Sequence, residues 1–361
     1  MRLSTTIEST RPQWEPRLNA LMRRAHFVLG EEVASFEREF AQALGAKAAV
    51  GVASGTDAIS LALRAARARG EVCTTALTAP FTGIAILAAG LKIRFCDIEE
   101  DSLQLDPASL AENLTSATGA VVAVHLYGQL CRIQEIARLT RSRGIGLVQD
   151  ACQAHGARVN GSIPLTEFSD SVAYSFYPTK NLGCLGDGGA VATDRKSIDR
   201  GVRVLRDGGR RKSHVSWVPG INSRLDEIQA CFLRVFLPNL EAWNAERRRL
   251  AGIYDQGLSG CPGVQPVRRD AGSVCHLYVV RAERRNALRE ALLKAGIQTA
   301  IHYGTPLHLQ PAFAHANQKR GRLPRAEKAC QSILSLPLRV GLADHDVCRV
   351  VEAVRAFYGV A

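Results

Sequence analysis

The sequence lacks any apolar stretch long enough to cross a membrane: the longest candidate, around residues 84–91, is well short of the roughly 18 residues required. Its first residues contain no apolar core of the kind that a secretory signal has. No C-x-x-C pair and no Cys/His cluster with zinc spacing occurs among the 10 cysteines. These absences predict a cytoplasmic chain with no membrane segment, no disulfide framework and no metal site.

The 361 residues exceed a small single-core module and predict one large domain followed by a smaller one. Hydrophobic residues make up 46% and charged residues 22%, which excludes wholesale disorder. We place the large domain at residues 1–239, with an N-terminal arm at about 1–19, and the smaller domain at 240–361.

Basic residues outnumber acidic ones by 46 to 34, a formal net charge of +12. Five arginines form a cluster, at Arg200, Arg203, Arg206, Arg210 and Arg211. Such a cluster is either a solvated face or a positive field that attracts a phosphorylated substrate. No helix-turn-helix, RNP or zinc-finger signature accompanies the charge, so we expect no nucleic-acid partner.

Strand-like and helix-like segments alternate along the first two thirds of the chain, which is typical of a mostly parallel sheet with helices on both faces. The predicted strands lie at residues 48–53, 93–96, 120–124, 144–148 and 171–176, and helices at 58–69, 109–113 and 133–141. Beyond residue 239 we predict a compact α/β unit with helices at 240–253 and 284–295 and strands at 276–281 and 298–303. Ligands of parallel sheets collect at the carboxyl ends of the strands.

Two charged residues follow apolar strands. Lys180 lies just past one of them and is followed by a glycine-rich stretch, while Asp150 ends another. A confined lysine loses its proton more readily, which suits imine formation, and glycines let the backbone approach a bulky ligand. A buried carboxylate needs a partner such as a protonated ring nitrogen. The alternative is that Asp150 caps the following turn and Lys180 pairs with it.

The sequence resembles the DegT/DnrJ/EryC1/StrS family of sugar aminotransferases over nearly its whole length. The motifs that carry the resemblance are Ala53-Ser54-Gly55-Thr56-Asp57-Ala58, Gln149-Asp150-Ala151-Cys152-Gln153-Ala154-His155-Gly156, Ser175-Phe176-Tyr177-Pro178-Thr179-Lys180, Gly220-Ile221-Asn222-Ser223-Arg224 and His302-Tyr303. The resemblance implies an α/β fold of the fold-type-I aminotransferase class and pyridoxal 5′-phosphate (PLP) as cofactor.

By that resemblance, Lys180 holds PLP through an imine and moves the proton during transamination, while Asp150 pairs with the pyridine nitrogen. Gln153 is expected near the phenolic oxygen, with an ordinary exposed glutamine as the alternative. The N–H groups of Thr56 and Asp57, at a helix start that Gly55 opens to close approach, are expected to bind the phosphate. An N-cap without a ligand is the alternative there.

Ser175 matches a serine of the family that also contacts the phosphate. Asn222 matches an asparagine that reaches the phosphate of the neighbouring subunit, which implies a homodimer with shared active sites. The family usually places an aromatic residue directly after a threonine to stack on the cofactor, but here Ala79-Pro80 follows Thr78. Phe81 therefore either supplies the stack or packs in the core.

His302, Tyr303 and His308 match the region that lines the sugar pocket, and the arginine cluster would meet a nucleotide diphosphate. The resemblance thus implies transfer of an amino group from an amino acid, L-glutamate in our prediction, to a nucleotide-linked keto-deoxysugar. Rival acceptors are inosose-type cyclitols and aminohydroxybenzoate precursors. A rival of another class is a PLP-binding regulator without turnover. A sugar 3-dehydratase branch replaces the lysine by histidine, and Lys180 argues against it.

Overall fold

The first seven strands of the chain form one sheet. The computed structural model describes residues 3–211 and 214–360. The strands are β1 Ala48–Val52, β2 Glu71–Thr75, β3 Lys92–Cys96, β4 Thr118–Val124, β5 Gly146–Asp150, β6 Ser171–Ser175 and β7 Gly189–Thr193. They lie in the order β1-β7-β6-β5-β4-β2-β3. All neighbours from β6 to β3 are parallel, whereas β7 runs antiparallel to both β6 and β1. The predicted mostly parallel α/β sheet is confirmed.

Helices cover both faces of this sheet. They are α1 Leu3–Ser9, α2 Arg11–Arg24, α3 Glu31–Leu44, α4 Gly55–Ala65, α5 Pro80–Ala88, α6 Pro107–Asn113, α7 Ile133–Arg141, α8 Lys196–Leu205 and α9 Glu227–Phe236. Helix α7 buries Ile133, Ile136, Ala137 and Thr140, a spacing of three and four that puts one apolar stripe against the sheet. On one face of the sheet Phe36, Phe40 and Phe176 pack ring to ring.

The C-terminal part of the chain carries a second, smaller sheet. Its elements are α10 Leu240–Gly257, β8 Val264–Pro266, β9 Tyr278–Ala282, α11 Arg285–Lys294, α12 Pro324–Ser332, β10 Ile333–Leu336 and α13 Asp344–Phe357. The strands are antiparallel in the order β10-β9-β8. Within the described residues no helix is both long and apolar enough to span a bilayer.

The strand predicted at residues 298–303 is wrong. Only Ala300 pairs with a neighbour, through an isolated bridge to Ser335. The chain then leaves the sheet edge, so His302 and Tyr303 line a cavity instead of continuing a strand. The sequence prediction missed two strands of this sheet, β8 and β10, as it missed β2 and β7 in the large sheet.

Glu227 joins the start of α9 to the start of α3. Its buried carboxylate accepts hydrogen bonds from the backbone N–H groups of Gly30 (2.8 Å), Glu32 (2.9 Å) and Val33 (3.0 Å). A carboxylate at a helix N-terminus satisfies free N–H groups and interacts favourably with the helix dipole. A Cβ at Gly30 would lie 2.8 Å from a Glu227 carboxylate oxygen, so the carboxylate would have to shift to accommodate a side chain there.

We expect Glu227→Ala to lower the free energy of unfolding by about 3 kcal/mol, because three buried N–H groups lose a charged acceptor. Urea denaturation followed by circular dichroism measures the change. Glu241→Ala is the matched control, since the Glu241 side chain is 75% exposed. Equal stability of the two variants would contradict the role given to Glu227.

Candidate active site

The carboxyl ends of β1, β4, β5 and β6 open into one cavity of about 1110 Å³. Nine of the residues predicted for the site line it: Gly55, Thr56, Phe81, Asp150, Gln153, Ser175, Lys180, His302 and Tyr303. Three others, Asp57, Asn222 and His308, do not line it. The strand ends therefore bring together residues that lie up to about 250 positions apart in the chain, as expected for a parallel sheet.

Asp150, the last residue of β5, is buried and keeps both carboxylate oxygens hydrogen-bonded. Oδ2 accepts the hydroxyl of Thr82 at 2.8 Å, and Oδ1 accepts the backbone N–H of Cys152 at 3.1 Å. The turn-capping half of the alternative is thus correct. Its other half is not, because no ion pair joins Asp150 to Lys180 in the described chain. The carboxylate remains available to a cation that enters the cavity.

Lys180 stands in a tight loop after β6. The backbone N–H of Lys180 donates to the Tyr177 carbonyl at 2.9 Å, and the backbone N–H of Cys184 donates to the Phe176 carbonyl at 2.7 Å. Burial lowers the pKa of Lys180, while Cys152 and Asp150 oppose part of this shift. A lowered pKa puts more of the side chain in the neutral form, which is the form that attacks a carbonyl carbon.

Helix α4 begins at the cavity. Ser54 caps it: its Oγ accepts the N–H of Asp57 at 3.1 Å. The Asp57 N–H is therefore already bonded, and its carboxylate accepts the hydroxyl of Ser223 at 2.8 Å. In the single chain the cap uses this donor, and the binding of an anion by the Asp57 N–H stays a prediction. Gly55 and Thr56 remain at the helix N-terminus on the cavity wall, where an anion is favoured.

Gly55 brings the helix start close to the end of β6. A Cβ at this position would lie 2.6 Å from Cβ of Ser175 and 2.8 Å from Sγ of Cys152. No side chain fits in that space, so the backbone of α4 and the Ser175 side chain face the same part of the cavity. A helix N-terminus beside a hydroxyl is a suitable cradle for a phosphate.

Gln153 is held in one orientation. Its amide oxygen accepts the N–H of Tyr127 at 2.7 Å, so its nitrogen lies on the other side and donates to the Tyr303 hydroxyl at 3.2 Å. This amide has a second N–H and lines the cavity. Because Gln153 is buried, the ordinary exposed glutamine is excluded.

His302 and Tyr303 form the opposite wall. The imidazole Nδ1 of His302 lies 2.8 Å from the hydroxyl of Ser335, and its carbonyl accepts the hydroxyl of Tyr127. Burial and the nearby Lys180 lower the pKa of His302, so the ring is neutral near pH 7. Burial raises the pKa of Tyr303 to about 12, so its hydroxyl stays protonated.

Phe81 is 61% exposed at the start of α5 and lines the cavity. This exposure excludes the core-packing alternative. Its exposed ring is available to stack on a flat ligand in the cavity.

His308 and Asn222 lie outside the lining of the cavity. His308 is buried and its Nε2 lies 3.1 Å from Glu327, so in the single chain it has a structural partner and no contact with the cavity. Asn222 is exposed and pairs through its backbone with Asp207. The position of Asn222 at the surface leaves it accessible to a second chain.

The arginine cluster is largely paired within the chain, which weakens its predicted role as a diphosphate site. Arg203 and Arg206 bind the carboxylate of Glu37, at 2.7 Å and 2.5 Å, and Arg210 binds Asp207 at 2.6 Å. Arg211 lies over the ring of Trp217. These cations are used to hold the fold.

Among the cavity residues that the sequence prediction did not assign to the site are Thr82, His276, Arg247 and Arg339. A signal existed for one of them. Helix α10 buries Leu240, Asn244, Arg247, Ala251 and Tyr254, so the helical period places Arg247 on the apolar face although its two neighbours are also arginines. No local pattern marks the other three.

The site suits a phosphorylated aromatic aldehyde with a basic ring nitrogen. The helix N-terminus would hold the phosphate, Asp150 a protonated ring nitrogen, Phe81 the ring face and Lys180 the aldehyde carbon. PLP has all four groups, and the residues present fit it.

We expect Gly55→Ala to weaken PLP binding at least tenfold, which corresponds to a loss of about 1.4 kcal/mol of binding free energy at the phosphate. The added Cβ would push α4 away from Ser175. Titration of the apoprotein with PLP, followed by absorbance, measures the affinity. The control is Gly252→Ala, since nothing lies within 4 Å of a Cβ built there. Similar affinities in the two variants would show that the helix start does not bind the phosphate.

Comparison with known proteins gives consistent matches. The model of the DegT/DnrJ/EryC1/StrS aminotransferase family matches residues 9–355. A dTDP-3-amino-3,4,6-trideoxy-alpha-D-glucose transaminase of Streptomyces venezuelae is 40% identical over 98% of this chain and 94% of its own. A pleiotropic regulatory protein of Geobacillus stearothermophilus is 39% identical over 99% of this chain and 97% of its own.

Among solved structures, S. venezuelae DesV in complex with ketimine intermediate matches with a TM-score of 0.96 and 38% identity, covering 99% of this chain and 98% of that one. The overall fold and the predicted cofactor are thereby confirmed. The chain belongs to the DegT/DnrJ/EryC1/StrS aminotransferase family and is a PLP-dependent aminotransferase.

Proposed function

We propose that this aminotransferase moves the amino group of an amino acid, L-glutamate first among the candidates, to the keto group of a nucleotide-linked deoxysugar. The observation that carries the proposal is the presence of a desolvated Lys180 and a hydrogen-bonded Asp150 in one cavity. The donor leaves as its 2-keto acid and the acceptor gains the amine, so the amino group is conserved over the two half-reactions.

The site residues have separate tasks in this reaction. Asp150, held by Thr82 and the Cys152 N–H, keeps a proton on the ring nitrogen of PLP. When bound, PLP supplies the electron sink for the electrons left on the donor Cα. Lys180 Nζ takes the proton from that carbon, a task for which its lowered pKa suits it. Gln153 and Tyr303, which line the same cavity, would offer an amide N–H and a hydroxyl to the bound groups.

The acceptor class is supported by two features. The cavity, at about 1110 Å³, is larger than the cofactor requires, and His302 and Tyr303 give its wall hydrogen-bonding groups suited to a sugar. The transaminase named above, from S. venezuelae, is named for a dTDP-linked aminosugar. Keto-cyclitols and related rings remain the second acceptor class, because the same polar wall suits their hydroxyls.

A regulator without turnover is the rival of another class, and one relative carries a regulatory name. Such a protein has no need of a lysine and a carboxylate arranged for proton transfer. Both are present here, and burial lowers the pKa of Lys180 in the direction that catalysis requires.

We expect wild-type holoenzyme to convert glutamate to 2-oxoglutarate with loss of the visible absorbance of lysine-bound PLP. Lys180→Ala should slow this half-reaction by about 10³-fold or more, because the base is removed. Single-turnover absorbance and assay of the keto acid measure both. Lys196→Ala, at an exposed position on α8, is the control. Undiminished turnover in Lys180→Ala would refute the assignment of the base.

We further propose that the active enzyme is a homodimer in which Asn222 completes the site of the other subunit. Exposed apolar side chains near Asn222 support an interface: Phe27 and Val28 are 42% and 40% exposed, and Val28 pairs with Asp226. Trp217, on the loop before Asn222, is 62% exposed. Large apolar side chains grouped at a surface are typical of interaction sites.

A mixed dimer tests this sharing. Lys180→Ala and Asn222→Asp chains, each inactive alone, should regain about a quarter of wild-type activity when co-expressed, because random pairing makes half of the dimers mixed and each then holds one intact site. Two affinity tags isolate the mixed dimer. Co-expression of Lys180→Ala with wild type sets the reference. A mixed dimer with no activity would show that Asn222 acts within its own subunit, and an active Asn222→Asp homodimer would show that Asn222 is not needed for the site.

A further inference from the structure

Arg247 is a buried cation with no acidic partner. Arg247 is 8% exposed, and no carboxylate forms an ion pair with its guanidinium in the described part of the chain. Burial lowers its pKa to about 10, still well above neutrality, so the guanidinium is charged at pH 7. A buried charge is costly unless an opposite charge compensates it. The compensating anion for Arg247 must therefore come from outside the described chain.

The hydrogen bonds of Arg247 fix which part of the guanidinium is open. Nη1 donates to the carbonyls of His276 at 3.1 Å, Leu338 at 3.4 Å and Cys275 at 3.5 Å. Nε is enclosed and has no partner among the described residues. Nη2 is neither enclosed nor hydrogen-bonded within the described residues, and Arg247 lines the cavity of the active site. Nη2 is thus the donor of Arg247 that remains for a ligand in that cavity.

His276 connects Arg247 with the catalytic lysine. The carbonyl of His276 accepts from Arg247, and its ring Nδ1 donates to the amide oxygen of Asn181 at 3.0 Å, next to Lys180. Asn181 in turn donates to Asn244 at 2.8 Å, on the same face of α10 as Arg247. This buried network holds the lysine loop and Arg247 in a fixed relation across one cavity.

A second cation lies beside the first. Arg339 directly follows Leu338, whose carbonyl accepts from Arg247, and it also lines the cavity. Arg339 is half-buried, and its one hydrogen bond, at 3.5 Å, goes to the carbonyl of Gly341. The carboxylates of the same cavity are Asp150 and Asp187, and neither pairs with Arg247 or Arg339 in the described chain.

We propose that Arg247 binds the α-carboxylate of the amino-acid donor and that Arg339 binds the side-chain carboxylate of a dicarboxylic donor. The inference rests on the proposed aminotransfer and deepens it, since it names the residues that select the donor. A carboxylate is small enough to reach a side chain that is 8% exposed, whereas the diphosphate of a nucleotide suits more open cations. Two arginines in one cavity favour glutamate or aspartate over alanine.

The test uses holoenzyme and maleate, an unreactive dicarboxylate, with calorimetry as the readout. Arg247→Gln should weaken maleate binding about 10- to 100-fold, the range for loss of a hydrogen bond to a charged group. Arg248→Gln is the control, because Arg248 is a neighbouring arginine on the outer face, paired with Glu241 at 2.6 Å. Thymidine diphosphate is the second probe, and its affinity should be unchanged in Arg247→Gln. Unchanged maleate affinity, or a loss confined to the diphosphate, overturns the proposal.

Arg247→Lys covers the case in which Arg247→Gln does not fold, since it keeps a buried cation near the three carbonyls. We expect intermediate maleate affinity in this variant, because a point charge replaces the planar guanidinium. Wild-type maleate affinity in Arg247→Lys, together with wild-type KM for glutamate, would overturn the proposal.

Kinetics separate the two arginines. Arg339→Gln should raise KM about tenfold for glutamate and leave KM for alanine unchanged, whereas Arg247→Gln should raise KM for both donors. Equal effects of Arg339→Gln on the two donors would refute its assignment. Wild-type holoenzyme that reacts with no amino donor would refute the proposed transamination, and the maleate comparison would still decide whether the carboxylate subsite exists.

Discussion

The chemistry of this protein depends on the removal of one lysine from water. Lys180 is enclosed by a tight loop, by the end of β5 and by the wall that His302 forms, and this burial lowers its pKa. The opposing carboxylate, Asp150, does not neutralise the lysine by contact, because Thr82 and a backbone N–H hold both of its oxygens. A base and an acid are thus kept apart in one cavity, and a cofactor with a cationic ring and an aldehyde fits between them.

The topology explains why these groups meet. Parallel strands place their carboxyl ends at the same edge, so Ser54 after β1, Asp150 at the end of β5 and Ser175 at the end of β6 surround one space. The close approach at Gly55, where a Cβ would lie 2.6 Å from Ser175, draws the start of α4 against that edge. The site is therefore a consequence of strand order together with one residue that has no side chain.

Charge in this chain serves two separate purposes. The arginine cluster near α8 binds acidic side chains of the same chain, as Arg206 binds Glu37 at 2.5 Å, and it stabilises the contact of α3 with the sheet. Arg247 and Arg339 have no such partners in the described residues and face the cavity. The net charge alone could not distinguish arginines that are paired within the chain from arginines that have no acidic partner and line the cavity.

The sequence by itself, through its resemblance to a family, determined the fold class and the cofactor, because strand-end residues such as Asp150 and Lys180 belong to local motifs whose order along the chain is specific. Nine of the twelve residues predicted for the site line one cavity. The tertiary structure decided what depends on distant partners. It showed that the Asp57 carboxylate accepts the hydroxyl of Ser223 and that His308 is bound to Glu327. It also placed Arg247 in the cavity. These contacts join residues from separate elements, and no local spacing encodes which buried polar groups already have a partner.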